Sequence, residues 1–327
     1  MENGEEEMTP EEWHAQVSKA ADVVAAKLDA DVLFINAEFA RGGVDKEVTQ
    51  TVTSLKRRRK SVVAIIVSEG GDASAAYKVA RTLQRCYKKF IALVPGWCKS
   101  AGTLCVLGAH ELVMADDAEL GPLDVQMRKK DELGESSSGL VVAGALESLQ
   151  GHMFAQFQQF MLEIKNRSMN VISFKLASEI ASKMAVSAME PIYRQIDPLQ
   201  IGEYDRYLKV AKDYGLRLTA SGKNMTKENL LTLINTYPSH DFVIDRREAG
   251  ELFSNVRTPH KEELELLALL DEMLEPQPSV CVGFFSNEQV DANEQQTQST
   301  GSATQSAIPK VVRKAGDAGN TGGAAAA

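Results

Sequence analysis

The fold of this chain is decided by residues 61–72, which read SVVAIIVSEGGD. The apolar run in this stretch is rich in β-branched residues and shows no alternation with polar ones. Such a run is typical of a parallel strand that is covered on both faces of its sheet. It ends at Gly70-Gly71, which predicts a tight turn into a following helix.

Strand and helix patterns alternate around this stretch. Thr9, Pro10 and Glu12 suit the N-cap, N1 and N3 positions of a helix that runs to about residue 28. Alternation of strands and helices predicts βαβ units and a parallel sheet, that is, an α/β fold. The predicted strands lie at 32–35, 61–67, 90–94 and 111–115, and the predicted helices at 10–28, at 45–58, after residue 72 and at 101–109.

Residues 140–236 differ from this core, because they read as helices only. The helices are predicted near 140–166, 170–190, 199–217 and 226–235, with breaks at Pro191, Pro198 and Gly222. The sequence therefore predicts a parallel-sheet core with a large helical insertion between Asp124 and His240.

The ends of the chain are unlike its middle. Of the 327 residues, 287–327 contain no aromatic residue and are rich in Gln, Ser, Thr, Gly and Ala, which predicts a disordered tail. The acidic residues 1–9 are expected to be disordered as well. One functional unit then occupies residues 10–286, with an α/β core at about 30–127, the helical region at about 140–236 and a histidine-bearing segment at 237–256.

Charge and cysteine content exclude several classes of protein. A net charge of −9 argues against nucleic-acid binding, and we interpret the basic run at 56–60 as a solvated helix end. The four cysteines show no metal-ligand spacing and no disulfide framework. Nothing at the N-terminus resembles a signal peptide, and no apolar stretch is long enough to span a membrane. We expect a cytoplasmic protein without a cofactor or metal.

Two turns at predicted strand ends can carry chemistry. Gly70-Gly71 allows positive φ angles and a close backbone approach, so that its N–H groups can bind an anion, although a plain turn is the simpler interpretation. Ser100 lies at the next strand-to-helix turn, before Ala101 and Gly102. A serine there is most often an N-cap, but the same position suits a nucleophile.

A serine nucleophile needs a base, and five histidines are available. His240 lies in a proline-bearing loop without an evident packing role, which makes it the best candidate. His14 is interpreted as a surface residue, His110 as a helix C-cap and His152 as a residue at the edge of the core, and His260 precedes a charged helix.

Three motifs in order resemble a known family. They are PGWCKSAGT at 95–103, ELGPLD at 119–124 and YPSHDFVID at 237–245. Together with the Gly-Gly turn they are similar to the serine dehydrogenase proteinase (SDH) family, which is related to the ClpP/SppA peptidases of the crotonase-like superfamily. The resemblance covers roughly residues 30–256.

This resemblance implies a serine endopeptidase with a ClpP/crotonase-like core and an acyl-enzyme mechanism. Carried over, Ser100 is the nucleophile, His240 the general base and Asp124 the acid, with Asp241 and Asp245 as rivals for the acid. The oxyanion hole would be the N–H groups of Gly71 and Ala101. Glu69 replaces the proline that is usual in the ClpP and SppA turn, which is a departure from the pattern.

Several alternatives stay open from the sequence. SppA-type enzymes use a Ser–Lys dyad, for which Lys129, Lys130 and Lys165 are candidate bases, whereas Lys99 should point elsewhere. Cys98 is a conceivable nucleophile. Two other functions stay open beside a peptidase. One is an acyl-CoA enzyme that uses the Gly-Gly turn, and the other is an inactive scaffold that binds a peptide. The resemblance also implies a peptide or protein substrate and a homo-oligomer. The sequence carries no ATP-binding motif, so any energy-driven unfolding of a substrate would have to come from a separate unfoldase.

Overall fold

A mostly parallel sheet forms the centre of the protein. The structure is a computed structural model that describes residues 9–123, 126–128, 136–277 and 279–285. The strands in these residues are β1 (Ala30–Asn36), β2 (Ser61–Val67), β3 (Lys89–Val94), β4 (Trp97–Cys98), β5 (Glu111–Met114), β6 (Glu119–Leu120), β7 (Gln126–Arg128), β8 (Ser136–Ser138), β9 (Val256–Arg257) and β10 (Cys281–Phe284). The main sheet has the order β10-β1-β2-β3-β5-β9, and β10 alone of its strands runs antiparallel to its neighbour.

Helices cover both faces of this sheet. In the described residues they are α1 (Pro10–Leu28), α2 (Val44–Ser54), α3 (Ala73–Cys86), α4 (Ala101–Val106), α5 (Gly139–Arg167), α6 (Phe174–Tyr193), α7 (Pro198–Gly222), α8 (Lys227–Asn235), α9 (Arg246–Leu252) and α10 (Lys261–Leu269). Alternate residues of β2 enter two separate cores: Val62, Ala64 and Ile66 face α2, α3 and α4, whereas Val63, Ile65 and Val67 face α1 and α10. The α/β fold with a buried parallel sheet is therefore confirmed.

Local sequence signals explain where several helices begin. Thr9 caps α1 and forms a capping box with Glu12, as predicted. Asp72 caps α3, because its side chain accepts a hydrogen bond from the Ala75 N–H at 2.9 Å. This cap fixes the start of α3 directly after the Gly-Gly turn.

Several predicted helix boundaries differ from those in the structure. The helix predicted at 170–190 begins at Phe174, because Ser173 is its N-cap, and it continues past Pro191 to Tyr193. A proline removes one N–H donor only, and the next turn is still bonded, since Arg194 N–H donates to the Glu190 carbonyl at 3.0 Å. The basic run is not a helix end, because α2 stops at Ser54 and the run lies in the loop before β2.

The helices α5 and α6 form an antiparallel pair that we call the arm. In α6 the buried residues form a single row at intervals of four, namely Ala177, Ala181, Ala185 and Met189. Large apolar side chains elsewhere on the arm are exposed, among them Phe174 at 64% and Val186 at 55%. In the described part of the chain, no helix combines the length and the apolar character that crossing a membrane requires.

Candidate active site

The turns that follow β2 and β3 are joined by backbone hydrogen bonds. Ser68 N–H donates to the Trp97 carbonyl and Lys99 N–H donates to the Ser68 carbonyl, both at 2.9 Å. These bonds continue the parallel pairing of β2 and β3 into the loops. They place Gly70 and Ser100 side by side at the carboxyl edge of the sheet, where open α/β folds bind ligands.

Both glycines are needed where these turns meet. Gly70 and Gly71 have φ angles of +125° and +123°. A methyl group on Gly70 would lie 2.9 Å from Ser100 Cβ, and one on Gly71 would lie 2.3 Å from the Phe39 carbonyl oxygen. A residue with a side chain would be strained at either position and would overlap its neighbour. The Gly-Gly turn is therefore set by the close approach of the chain to Ser100 and Phe39.

Ser100 itself adopts a strained backbone conformation. Its φ and ψ angles are +49° and −109°, which non-glycine residues rarely adopt, and its side chain makes no capping hydrogen bond to α4. Ser100 therefore occupies the N-cap position of α4 without capping the helix through its side chain. A strain of about 1–3 kcal/mol is usual for such conformations, and they cluster at functional sites.

Two amide groups beside Ser100 remain available to a ligand. Gly70 N–H donates to Ser68 Oγ at 3.1 Å, and Asp72 N–H donates to the Phe39 carbonyl at 2.6 Å. Among the described residues, neither Gly71 N–H nor Ala101 N–H donates such a hydrogen bond. Gly71 follows the glycine that packs on Ser100, and Ala101 follows Ser100 itself, so both predicted oxyanion donors belong to the two turns that meet at this serine.

The segment that carries His240 is held by hydrogen bonds beside the Ser100 turn. Leu120 and Ile244 exchange two backbone hydrogen bonds, at 2.9 Å and 3.0 Å. The neighbouring Gly121 packs on the Ser100 turn, since a methyl group there would lie 3.2 Å from Ser100 N. The chain therefore connects Ser100, Gly121, Leu120 and Ile244 through direct contacts, and His240 lies four residues before Ile244.

A cleft opens where these segments meet. Its volume is about 590 Å³. Its lining comes from three segments. They are the two turns with Glu69, Trp97 and Lys99, strand β6 with Glu119, and the histidine segment with His240, Asp241 and Val243.

The base of the His240 loop is held by its own contacts. Tyr237 OH donates to Glu248 Oε1 at 2.7 Å, and the Tyr237 and Phe242 rings lie 4.9 Å apart. Burial and the Glu248 carboxylate raise the pKa of Tyr237, so that the hydroxyl stays a donor. These contacts fix both ends of the loop while His240 faces the cleft.

The other candidate acids and lysines either lie outside the described residues or have local structural roles. Asp124, Lys129 and Lys130 lie outside the described residues. Asp245 is engaged as the N-cap of α9, because its Oδ1 accepts from Glu248 N–H at 2.8 Å. Lys165 donates to the Ile172 carbonyl at 2.8 Å and so closes the turn between α5 and α6.

Cys98 is not suited to act as a nucleophile. Its thiol is fully buried beside Gly102, and burial raises its pKa well above the usual range. A thiol in that state does not form the reactive thiolate.

The other four histidines have local roles. His110 was expected to cap a helix, but α4 ends before it, and its Nδ1 accepts a hydrogen bond from Phe90 N–H at 3.1 Å. Burial lowers the pKa of His110, which keeps this acceptor neutral. His14 packs on Trp13, His152 bonds the Ser148 carbonyl, and His260 occupies the N-cap position of α10.

Lys99 and Glu119 form an ion pair that was not predicted from the sequence. Lys99 was expected to point away from Ser100, and its Nζ lies 3.1 Å from Glu119 Oε2 with the residue only 8% exposed. The partners are brought together by the pairing of β4 with β6, which involves two residues of each strand. So short a pairing leaves no periodic pattern that sequence analysis could detect.

Comparison with known proteins gives one family and a few similar chains. Residues 44–134 match a family described as ClpP-like SDH-type serine proteinase. An uncharacterised protein of Methanocaldococcus jannaschii is 26% identical over 187 residues, which cover 54% of this chain and 59% of that protein. The match thus spans less than two thirds of the relative's length.

Two similar solved structures are of the 1510-N membrane-bound stomatin-specific protease. One is a serine-to-alanine mutant, 14% identical with a TM-score of 0.29, and the match covers 70% of this chain and 96% of that chain. The other is a lysine-to-alanine mutant in complex with a substrate peptide, 16% identical with a TM-score of 0.30, covering 73% and 96%.

Proposed function

We propose, on the premise that residues 44–134 belong to the ClpP-like SDH-type serine proteinase family, that the protein is a serine endopeptidase with Ser100 as its nucleophile. One observation carries the assignment to Ser100. It is the strained serine, without a capping bond, that lies against Gly70 at the meeting of the two turns that carry the amides of Gly71 and Ala101. A nucleophile flanked by two such donors is the arrangement that acyl transfer requires.

The proposed reaction begins at the scissile carbonyl of a peptide. Ser100 Oγ attacks the carbonyl carbon while His240 accepts the hydroxyl proton, and the oxygen that becomes negative accepts hydrogen bonds from Gly71 and Ala101. His240 then protonates the leaving amine as the C–N bond breaks, which leaves an acyl ester on Ser100. Water, deprotonated by His240, hydrolyses this ester and restores the serine.

The proposal also covers the acid that orients His240. We keep Asp124 as the first candidate and Asp241 as its rival in the cleft. The helix-capping role of Asp245 disfavours that residue as the acid. Replacing Asp124, Asp241 and Asp245 by asparagine, one at a time, distinguishes the three. Loss of the orienting residue should reduce turnover strongly, whereas loss of either other residue should not.

A fluorophosphonate probe tests the nucleophile directly. The probe should label the wild-type protein once, and Ser100→Ala should abolish the adduct in an intact-mass measurement. Ser182→Ala, which changes an exposed serine on α6, is the matched control and should label like the wild type. Labelling or peptide cleavage that survives Ser100→Ala would contradict the assignment, and thioester hydrolysis that survives it would favour an acyl-CoA enzyme.

The pH dependence of labelling tests the base. A histidine can act as a base only when it has lost its proton, so the labelling rate should rise as the pH is raised from 5 to 8. His240→Ala should lower the rate and remove this dependence. A profile that is unchanged in His240→Ala and is lost in Lys129→Ala or Lys130→Ala would favour a Ser–Lys dyad instead.

The wider context of the activity belongs to the same proposal. We propose peptides or unfolded proteins as substrates, a homo-oligomer as the working form and a cytoplasmic location. A separate unfoldase would deliver folded substrates. Analytical ultracentrifugation of the active protein tests the assembly state.

A further inference from the structure

A buried ion pair lies directly beside the proposed nucleophile. Lys99 precedes Ser100, and its Nζ is 3.1 Å from Glu119 Oε2 and 6.0 Å from the centre of the Trp97 ring. The side chains are only 9% and 16% exposed. Removing two charges from water costs several kcal/mol, and apolar residues often serve stability as well or better. The pair therefore calls for an explanation other than stability.

The ion pair connects the two segments that form the site. The backbone of Lys99 is fixed on both sides, because its N–H donates to Ser68 at 2.9 Å and its carbonyl accepts from Gly102 N–H at 2.7 Å. Its side chain crosses Gly121, where a methyl group would lie 3.0 Å from Lys99 Cδ. The ammonium group then reaches Glu119, the first residue of β6.

Strand β6 also anchors the segment with His240. Leu120, next to Glu119, exchanges the two hydrogen bonds with Ile244 described above. The ion pair thus spans the two-residue pairing of β4 with β6, which lies between the Ser100 turn and the anchor of the His240 segment. A change in that spacing would move serine and histidine relative to each other.

We propose that Lys99 and Glu119 are positioning residues that hold the Ser100 turn in register with the His240 segment. This inference rests on the proposed peptidase function. Strained conformations such as that of Ser100 persist only when the surrounding contacts fix them, and the ion pair is one of these contacts. Lys99 Nζ is engaged by the Glu119 carboxylate at 3.1 Å, which suits a positioning role rather than that of the base.

The rate of fluorophosphonate labelling at Ser100 provides the test. Lys99→Met and Glu119→Gln should each slow labelling about 10- to 100-fold, because a small displacement of reacting groups costs that much. With a peptide substrate, kcat should fall by a similar factor while KM changes less than about threefold. Lys99→Arg keeps the cation and should restore most of the rate.

A second ion pair, with a buried carboxylate and a more exposed lysine, serves as the control. Lys78 Nζ lies 2.9 Å from Asp45 Oδ2, and Asp45 is 5% exposed, but this pair joins α2 to α3 away from the cleft. Lys78→Met should therefore leave labelling within about twofold of the wild type, whatever it does to the melting temperature. Circular dichroism of every variant shows the folded fraction by which the rates are normalised.

The outcomes separate this inference from the function on which it rests. If the wild type is not labelled at Ser100, the proposed peptidase function fails. If the wild type is labelled and both Lys99→Met and Glu119→Gln label at the same normalised rate, or if Lys78→Met slows labelling equally, the positioning role is wrong. If Lys99→Arg is as inactive as Lys99→Met and Glu119→Gln is fully active, Lys99 transfers a proton instead.

Discussion

The nucleophile turn and the arm are built under opposite constraints. At the turn, methyl groups on Gly70, Gly71 and Gly121 would meet other atoms at 2.9, 2.3 and 3.0 Å. On the arm, methyl groups on Gly144 and Gly151 would meet nothing within 4 Å. Backbone packing therefore dictates the residue at the turn, whereas on the arm the residue is constrained mainly by its helix propensity.

The same difference is seen in the apolar residues. Ile65 in β2 is fully buried between the sheet and its helices, whereas Val186 in α6 is more than half exposed. Both belong to apolar patterns in the sequence, yet only the strand residue lies in a core. An apolar pattern thus predicts an element here, but it does not predict how far the element is covered.

The largest expected effect is at the turn. Gly71→Ala should cost about 4 kcal/mol of unfolding free energy or more, because it combines a forbidden φ angle with an overlap on the Phe39 carbonyl. Ser100 labelling should be lost with it. Denaturant unfolding gives the free energy, and the probe gives the activity.

Gly42→Ala is the matched control for backbone strain. Gly42 has a φ of +77°, but a methyl group there would meet nothing within 4 Å. This substitution should cost only about 1–2 kcal/mol and leave labelling intact. Equal costs at Gly42 and Gly71 would show that close packing at the turn is not what distinguishes it.

Elements that depend on local sequence patterns were predicted, whereas features that depend on contacts between distant segments were not. Strands β1, β2 and β3 were predicted because their apolar runs are continuous, and α1 because its capping residues are adjacent in sequence. The Lys99–Glu119 pair was missed because it depends on a pairing of two residues between distant segments. The conformation of Ser100 was missed for a related reason, since Gly70 and Gly121, which pack against it, are distant from it in sequence.

Core truncation is expected to have the next largest effect. Ile65→Ala should lower the unfolding free energy by about 3 kcal/mol, because it leaves a cavity between strand and helices. Val186→Ala on the arm should change it by less than about 0.5 kcal/mol. A loss of more than about 2 kcal/mol at Val186 would show that the arm is covered in solution and would remove the contrast.

A smaller effect is expected from acid. Burial raises the pKa of Glu111, but the hydrogen bonds from Lys89 and Arg257 together lower it by more, so the pKa of Glu111 lies below its usual value. A lowered pKa stabilises the folded state above the unfolded value of about 4.3, and this contribution is lost as the pH falls through the folded pKa. Wild-type stability should therefore fall more steeply below pH 5 than that of Glu111→Gln.

The exposed pair of Arg194 and Glu190 on the arm is the control for this experiment. These side chains are 77% and 52% exposed, so their attraction is screened by water. Glu190→Gln should leave the acid dependence of the unfolding free energy unchanged. A slope that Glu190→Gln alters as much as Glu111→Gln does would contradict the difference between the two regions.

The smallest effect has the opposite sign and lies on the arm. Gly151 is exposed within α5, where glycine costs backbone entropy and a methyl group would meet no other atom within 4 Å. Gly151→Ala should therefore stabilise the protein by about 0.5–1 kcal/mol in thermal or denaturant unfolding, with labelling at Ser100 unchanged. Because the same substitution at Gly71 should be the most damaging one, the sign change between the two sites is the sharpest form of the comparison. Destabilisation by Gly151→Ala would mean that this face of the arm is packed against another surface in solution.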